Sequence, residues 1–307
     1  MRMERIRRVS LIGLGAVGAA YGSRLLVAPE TELSVVVDQT RKSRYCERPV
    51  VVNGQEIAFP YVLPDADVEP ADLILIAVKY DGLEQALHDI RRQVGPNTIF
   101  MSLLNGIASE DDIRAAYPRN PILHAVCIAI DAVRNGRDVT FSNLGYISFG
   151  DASGEQAEAV ERVRELFERA GIGYEIPEDI LRTIWWKFMV NVGVNQTSAI
   201  LRAPYGVFQQ STDAHTVMAM AMREVIAIAQ RLGIDLSEDD IARFDEVLHA
   251  MAPTGKTSML QDVEAKRSTE VEQLAGKVCQ IGRQLGIPTP VNEVLYHAIR
   301  AITSASP

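Results

Sequence analysis

Residues 8–26 read RVSLIGLGAVGAAYGSRLL, and this stretch sets the fold of the first half of the chain. A short apolar strand runs into three glycines, Gly13, Gly15 and Gly18, and a helix-like segment follows them. In that context the first glycine allows a tight turn, the second lets the backbone approach a pyrophosphate, and the third lets the helix pack on the strand. The N–H groups at the start of the helix would face the phosphates. The stretch predicts a dinucleotide-binding turn, and the alternative is a glycine-rich turn without a ligand.

The first half of the chain alternates short β-rich runs with amphipathic segments, which is typical of a parallel sheet flanked by helices. We therefore expect an α/β Rossmann domain over residues 1–178, with a mostly parallel sheet. Asn53 and Gly54 predict a tight hairpin after the second strand, and a second hairpin is expected over Val139–Phe149. The predicted strands are Val9–Ile12, Leu33–Val37, Leu73–Val78, Thr98–Ser102, Ile122–Ile130, Tyr146–Phe149 and one near Ile172–Ile176.

After Pro177 the sequence changes to long segments of helical period, so residues 179–307 are expected to form an all-α domain. Prolines and glycines mark the ends of these segments. The predicted helices cover residues 178–202, 211–233, 237–251, 257–286 and 291–303.

Composition narrows the class of protein. The 307 residues are 47% hydrophobic and 23% charged, and the formal net charge of −9 argues against a nucleic-acid partner. No apolar run reaches the roughly 18 residues that a membrane helix needs. The basic opening MRMERIRR lacks the apolar core of a signal peptide, so we expect a cytoplasmic protein. Three scattered cysteines and five histidines without metal-ligand spacing predict neither a disulfide framework nor a metal site.

Polar residues at the ends of predicted strands are candidates for contacts with the cofactor. Asp38 ends the second strand, where an acidic side chain commonly accepts hydrogen bonds from the ribose of NAD. Arg41 follows at once, with Lys42 and Arg44, and these cations could bind the 2′-phosphate of NADP, so the sequence leaves the choice open. A solvated turn of mixed charges explains the same residues.

A row of polar residues crosses the apolar segment IWWKFMVNVGVNQTSAI, residues 184–200. Lys187, Asn191 and Asn195 are spaced four apart, so a helix would carry them on one face. Burying an ammonium and two amides costs roughly 2 kcal/mol or more per unpaired group unless a polar partner meets them. A bound substrate is one such partner. The alternative is a lysine that reaches solvent from an apolar helix.

Three segments together resemble the ketopantoate reductase (2-dehydropantoate 2-reductase) family: GLGAVG at 13–18, WWKFMVNVGVNQTSAI at 185–200 and TSMLQDVEAKRSTEVEQLAG at 257–276. The resemblance runs over essentially the whole chain. It implies a Rossmann domain joined to a helical domain, and reduction of 2-dehydropantoate to pantoate, usually with NADPH. The product would be a precursor of pantothenate and coenzyme A.

The resemblance also implies roles for the polar row. Lys187 matches the catalytic lysine that protonates the keto oxygen, and a lowered pKa toward ~7–8 would suit that work. Asn191 and Asn195 match asparagines that hold the substrate. Ser258 matches a serine that binds substrate, and Glu270 matches a glutamate that completes the catalytic site and adjoins the cofactor.

Two further positions in the first domain are assigned by resemblance. Asn105 matches an asparagine that lines the cleft and faces both substrate and cofactor, and Lys79 matches a lysine near the cofactor. Both follow predicted strands, where ligands of open α/β sheets bind. The alternative for each is an ordinary polar residue at the end of a strand.

Other features leave alternatives open. On one continuous helix Ser258 and Glu270 would lie about 120° apart, and Ser258 with Gln261 could form a capping box. Tyr205 and Gly255 depart from asparagines seen in some members, so the substrate could be a related 2-keto acid. A β-hydroxyacid-type dehydrogenase and a dinucleotide-binding protein without turnover are the other readings. A monomer and a homodimer are both compatible with the sequence.

Overall fold

The computed structural model describes residues 5–304. The first four residues of the basic opening and the last three of the expected helical domain lie outside that range. The chain divides into two compact units, Met1–Ile180 and Leu181–Pro307. None of the described helices has the length and apolar character needed to cross a membrane.

The first unit contains a mostly parallel sheet of eight strands, as expected from the sequence. The strands are β1 (Arg8–Ile12), β2 (Glu32–Val36), β3 (Val50–Val52), β4 (Gln55–Ile57), β5 (Tyr61–Val62), β6 (Leu73–Ile76), β7 (Ile99–Ser102), β8 (Ile122–Ile128), β9 (Val133–Asn135), β10 (Asp138–Thr140), β11 (Tyr146–Gly150) and β12 (Tyr174–Glu175). The order of the large sheet is β12-β11-β8-β7-β6-β1-β2-β5, and a separate sheet has the order β4-β3-β10-β9. Among the described strands of the large sheet, only β8 and β11 pair antiparallel.

Helices cover both faces of the large sheet. In β6, Leu73 and Leu75 belong to one apolar core while Ile74 and Ile76 belong to the other, so this central strand is buried on both sides. The helices of the first unit are α1 (Ala16–Leu26), α2 (Gln39–Glu47), α3 (Leu83–Asp89), α4 (Ser109–Ala116) and α5 (Ala157–Ala170).

The structure confirms one of the two expected hairpins and contradicts the other. The Asn53–Gly54 hairpin is confirmed, since β3 and β4 pair antiparallel around it and both turn residues have positive φ, at 46° and 82°. The hairpin over Val139–Phe149 is wrong: β10 pairs with β9 and β3, whereas β11 pairs with β8. The reason is burial, because β11 carries two fully buried side chains, Ile147 and Phe149, into the core of the large sheet.

The second unit is helical, as expected. A single helical run covers α6 (Ile180–Val190), a π-helical turn (Asn191–Asn195) and α7 (Gln196–Leu201). It is followed by α8 (Tyr205–Gln210), which the sequence did not predict, and by α9 (Thr212–Arg231), α10 (Glu238–Ala250), α11 (Ser258–Glu264), a second π-helical turn (Glu272–Gly276), α12 (Lys277–Leu285) and α13 (Pro290–Ser304).

The predicted continuous helix over residues 257–286 is wrong. It breaks after α11, where Lys266 takes the left-handed conformation with φ of 54°. The N–H of Lys266 donates to the carbonyl of Val263 and that of Arg267 to the carbonyl of Asp262, at 3.2 and 2.8 Å. These two bonds form a Schellman motif, which usually has glycine at this position. The sequence hides this helix end because a lysine occupies it.

Candidate active site

The glycine turn (Gly13–Gly18) is shaped by close backbone contacts. Gly13 has a φ of 101°, and a Cβ placed there would lie 2.4 Å from the carbonyl oxygen of Ala77. A Cβ at Gly18 would lie 1.9 Å from the carbonyl oxygen of Gly13. Gly15 precedes α1 with an ordinary φ of −68°, and its Cβ would meet nothing nearer than 3.8 Å. Two glycines are therefore required by packing, and the third keeps the start of α1 open.

The glycine turn lies where the strand order reverses. From β1 the chain moves to β2 on one side and later returns to β6 on the other side of β1. Ligands of open α/β sheets bind outside the carboxyl ends of the strands at such a switch point. Because β1 and β6 are parallel with Ile12 opposite Ile76, the loops after them are neighbours at that edge.

Lys79 and Asn105 follow adjacent strands at the same edge. Lys79 is exposed just after β6, and Asn105 is half-buried just after β7. The two strands are parallel with Ile76 opposite Ser102, so Lys79 follows the strand next to β1 and Asn105 follows the strand beyond it, at the same edge as the glycine turn. The structure thus brings these candidates to one edge of the sheet, and their contacts with a ligand stay a prediction.

Asp38 caps α2 and binds Arg41. Its Oδ1 accepts a hydrogen bond from the backbone N–H of Arg41 at 2.7 Å, and its Oδ2 lies 3.1 Å from the Arg41 guanidinium. This arrangement gives Asp38 a structural role as an N-cap. It also holds one carboxylate and one guanidinium together just past the end of β2, where the ribose of a dinucleotide is usually bound.

Glu110 was not selected from the sequence, although it follows the Asn105 loop in the first turn of α4. Burial raises the pKa of its carboxyl to about 7. The hydroxyl of Ser109 donates to it at 2.9 Å and opposes the shift. In the sequence, Glu110 is one of three acidic residues in the polar stretch SEDD, and this pattern does not predict a buried carboxyl.

In the second unit, the structure brings the two asparagines of the polar row (Lys187, Asn191 and Asn195) together with Ser258. The side-chain amide of Asn195 donates to Oδ1 of Asn191 at 3.4 Å and to Oγ of Ser258 at 3.5 Å. Asn195 is 7% exposed, while Asn191 and Lys187 are half-buried. Both contacts are long for hydrogen bonds, so these groups retain capacity to bind a polar ligand.

The π-helical turn straightens the polar row. On a regular α-helix each residue advances about 100°, so Lys187 and Asn195 would lie about 80° apart. A π turn holds more residues per turn, and the step from Asn191 to Asn195 therefore turns Asn195 back toward the line of Lys187. Gly193 permits this packing, since a Cβ there would lie 2.5 Å from Met222 on α9.

Ser258 does not cap α11, so the alternative of a capping box formed by Ser258 and Gln261 is wrong. Thr257 is the N-cap, and its hydroxyl oxygen accepts from the backbone N–H of Leu260 at 3.2 Å. Ser258 is the first residue of the helix, exposed and beside Asn195. The estimate of about 120° between Ser258 and Glu270 fails as well, because the helix ends between them. Glu270 instead lies two residues before the second π-helical turn, and its carbonyl accepts from the N–H of Leu274 in that turn at 3.1 Å.

Tyr205 and Gly255, the two positions at which the sequence departs from some family members, contact each other. The backbone N–H of Tyr205 donates to the carbonyl of Gly255 at 2.9 Å. A Cβ on Gly255 would lie 3.0 Å from the Tyr205 ring, so the glycine makes room for the tyrosine. Burial raises the pKa of the Tyr205 hydroxyl. Each departure therefore accommodates the other.

Gln196 is a residue that the sequence analysis did not select. It is fully buried next to Asn195, and its amide contacts Val192, Ala275 and Asn292. A polar residue within an apolar helical segment is a usable signal, but its partners lie far away in the sequence.

Comparison with known proteins identifies the family. Residues 9–154 match the profile of "Ketopantoate reductase PanE/ApbA", and residues 179–303 match "Ketopantoate reductase PanE/ApbA C terminal". The 2-dehydropantoate 2-reductase of Pyrobaculum aerophilum is 30% identical over 95% of this chain and 96% of its own length.

Solved structures agree in fold. A PanE/ApbA family ketopantoate reductase from Ralstonia eutropha superposes with a TM-score of 0.83 at 25% identity, covering 97% of this chain and 98% of that one. A D-mandelate dehydrogenase with NADH superposes at 0.87 with 23% identity, covering 98% and 100%. The second likeness shows the fold alone. From the profile matches and the full-length relative, the chain belongs to the ketopantoate reductase PanE/ApbA family of oxidoreductases.

Proposed function

We propose that this chain reduces 2-dehydropantoate to pantoate with hydride from NADPH, and that Lys187 protonates the keto oxygen. The observation that carries the proposal is the cluster in which Asn195 contacts both Asn191 and Ser258, at 3.4 and 3.5 Å. Amide and hydroxyl groups can bind the carboxylate and hydroxyl of this substrate. The relative from Pyrobaculum aerophilum, which bears the name of this activity, supports the same reaction.

The chemistry needs a proton donor. The dinucleotide, when bound, would supply the hydride, and the keto carbon would gain a C–H bond while the carbonyl electron pair moved to oxygen. The Lys187 ammonium stabilises the negative charge that develops on that oxygen and gives it a proton. Lys187 is left neutral and regains a proton from solvent. Asn191, Asn195 and Ser258 hold the substrate while this occurs.

The glycine turn fits a dinucleotide. Side chains are excluded at Gly13 and Gly18 by contacts of 2.4 and 1.9 Å, and Gly15 leaves the backbone before α1 accessible. The first turn of α1 holds no acidic residue that would repel phosphates. In our proposal the turn binds the pyrophosphate, while Lys79, Asn105 and Glu270 adjoin the cofactor.

The choice of NADPH rests on the cations of α2. Arg41 is held 3.1 Å from Asp38, and Lys42 and Arg44 follow it in the same helix. A guanidinium fixed beside the ribose position can bind a 2′-phosphate. NADH is the competing cofactor, because the Asp38 carboxylate can accept from ribose hydroxyls. With NADPH as cofactor, R41A should raise its KM about tenfold and leave that for NADH unchanged.

The test of Lys187 is turnover followed at the nicotinamide absorbance. We expect K187A to lower kcat by about 10²–10⁴-fold, the usual contribution of a general acid. K187R keeps the positive charge but holds its proton too tightly to donate it, so it should stay equally slow. Recovery of kcat in K187R would show charge stabilisation without proton transfer. Failure of the parent chain to turn over any 2-keto acid would overturn the proposal and favour a binding protein.

A related 2-keto acid is the second candidate substrate. Tyr205 packs on Gly255, at the two positions where some members have asparagine. Loss of two amides near the substrate residues favours a less polar acid. Comparing kcat/KM for 2-dehydropantoate with that for aliphatic and aromatic 2-keto acids decides between the two, and a preference for 3-hydroxy acids would indicate the β-hydroxyacid type.

We also propose a cytoplasmic location. Cys46, Cys127 and Cys279 are all free thiols, which is typical of proteins from a reducing compartment. Fractionation of cells that express a tagged chain checks this location.

A further inference from the structure

The two π-helical turns of the second unit are joined by one buried amide. The turns Asn191–Asn195 and Glu272–Gly276 belong to different helical segments, and Gln196 immediately follows the first. Its side chain is fully buried. Such turns are rare and displace backbone groups from their regular helical partners, so each needs a compensating hydrogen bond.

In the second turn, the displaced group is the N–H of Ala275. The N–H of Gly276 donates to the carbonyl of Val271 at 3.0 Å. In a regular α-helix that carbonyl would accept from Ala275 instead. Oε1 of Gln196 accepts from the Ala275 N–H at 3.0 Å. The glutamine therefore replaces the helical partner that the π turn removes.

In the first turn, the displaced group is the carbonyl of Val192. The backbone N–H of Gln196 donates to Gly193, one residue later than the regular partner. Nε2 of the same glutamine donates to the Val192 carbonyl at 2.7 Å. One side chain thus satisfies a displaced acceptor in the first turn and a displaced donor in the second.

A second amide fixes the orientation of Gln196. Nε2 of Gln196 donates to Oδ1 of Asn292 at 3.2 Å, and the Asn292 amide donates to the carbonyl of Ala221 and to Glu224, at 3.1 and 2.7 Å. Asn292 is also fully buried. Both amide protons of Gln196 have acceptors, so rotating its amide would break three bonds.

We propose that Gln196 is a positioning residue for the reduction, because it sets the conformation of both π turns at once. The first turn carries Asn191 and Asn195, and the second begins two residues after Glu270, whose carbonyl accepts from the N–H of Leu274 in that turn. The inference rests on the proposed function of these residues. Gln196 contacts backbone groups and Asn292, and it acts through the turns that hold the substrate side chains.

Two substitutions test the role. Q196M conserves the volume and removes all three bonds. We expect a 10- to 100-fold fall in kcat/KM for the keto acid, with the dinucleotide Kd within twofold of the parent. In Q196E a protonated carboxyl can accept from Ala275 and donate to Val192, whereas the ionised form cannot donate. The kcat of Q196E, taken relative to that of the parent at the same pH, should therefore recover by tenfold or more on going from pH 8 to pH 5, and that of Q196M should not.

Gln209 provides a matched control. Its amide also donates to two backbone carbonyls, those of Leu248 and Met251 at 2.8 and 2.9 Å, but it joins α8 to α10 and touches neither π turn. Q209M and Q209E should show the parent's kcat and no acid recovery. Equal losses in the Gln209 and Gln196 variants would mean that any amide bonded to backbone carbonyls matters, and would overturn the positioning role.

Three results separate this inference from the proposed function. An active parent with unchanged kcat and KM in Q196M overturns the inference alone. If Q196M does not fold, Q196E is used in its place. A relative kcat of Q196E that does not recover between pH 8 and pH 5 then overturns the inference. If the parent is inactive with all 2-keto acids, the proposed function fails, and amide exchange decides the coupling. Unchanged protection of residues 271–276 in Q196M would then overturn it.

Discussion

The glycine turn after β1 and the polar row on the α6–α7 helix are both narrowly defined, but by opposite means. At the turn, side chains are excluded, since a Cβ on Gly18 would lie 1.9 Å from a carbonyl oxygen. Along the row, side chains create the geometry, and Gln196 joins two π turns through groups distant in sequence. The first arrangement can be read from six consecutive residues, although Ala77 also excludes a side chain at Gly13, and the second is completed only by tertiary packing.

The largest expected effect is at the glycine turn. Substitution of Gly18 should reduce stability, whereas substitution of Gly15 should weaken dinucleotide binding. Gly18→Ala should lower the free energy of unfolding by about 4 kcal/mol, since the methyl cannot fit without moving the backbone. Gly15→Ala should leave it within about 0.5 kcal/mol, because the atom nearest to the new Cβ would lie 3.8 Å away, at an ordinary contact distance. It should instead weaken dinucleotide binding by about tenfold or more.

Urea unfolding and dinucleotide titration of the two variants measure these effects. A parent-like unfolding curve for Gly18→Ala would contradict the steric account of the turn. If Gly15→Ala bound the dinucleotide normally, the close approach of backbone to pyrophosphate would be wrong.

Glu110 shows that the first unit also contains a feature set by side-chain burial. Its pKa is raised from 4.5 to about 7, so the native state holds a proton that the unfolded chain releases. Its contribution to stability is full below pH 4.5 and is lost as the pH rises to about 7. At about 1.4 kcal/mol per pKa unit, the loss amounts to about 3 kcal/mol.

Glu110→Gln should remove this dependence and make the variant more stable than the parent above pH 7, as measured by urea unfolding from pH 4.5 to pH 8. Glu158 is the control, since it occupies the first turn of α5 but is exposed. Glu158→Gln should leave the pH dependence as it is in the parent. The same slope in Glu110→Gln would exclude a buried, protonated carboxyl.

The smallest expected effect is at the end of α11, where the backbone is left-handed although the residue is not glycine. Lys266 ends α11 at a φ of 54°, where a left-handed conformation costs a non-glycine residue about 1 kcal/mol. Lys266→Gly should raise the free energy of unfolding by about that amount. Gly286, which ends α12 at a φ of 69°, is the matched position, and Gly286→Ala should lower it equally. Destabilisation by Lys266→Gly would mean that the lysine side chain outweighs the backbone strain.

These contrasts explain what could be predicted from the sequence. The glycine turn, the parallel sheet, the Asn53–Gly54 hairpin and the helical second unit depend on local pattern, and the structure confirms them. The break after α11 was missed because Lys266 gives no stop signal. The second hairpin was misplaced because strand pairing of β11 depends on a core formed by residues far away.

The candidate site divides in the same way. Spacing alone placed Asn191 and Asn195 on one face, and the structure has them in contact. Neither π turn was predictable, because the Gln196 side chain that compensates for both is oriented by Asn292 and bonds to Ala275, which lie far away in the sequence. The capping role went to Thr257 rather than Ser258 by a shift of one residue, which is the usual error of helix ends read from sequence.

The small sheet has a consequence for the order in which the first unit folds. Val51 in β3 pairs with Asp138 in β10, and β6, β7 and β8 all lie between them along the chain. Closing so long a loop is slow, so we expect these strands to join after the central strands have assembled. Since α1 packs on β3 and β10, the helix that follows the glycine turn should complete its packing late in folding. The N–H groups of Val51 and Asn53 donate to the carbonyls of Arg137 and Val139. Their hydrogen exchange should require a lower free energy of opening than that of the β1 amides.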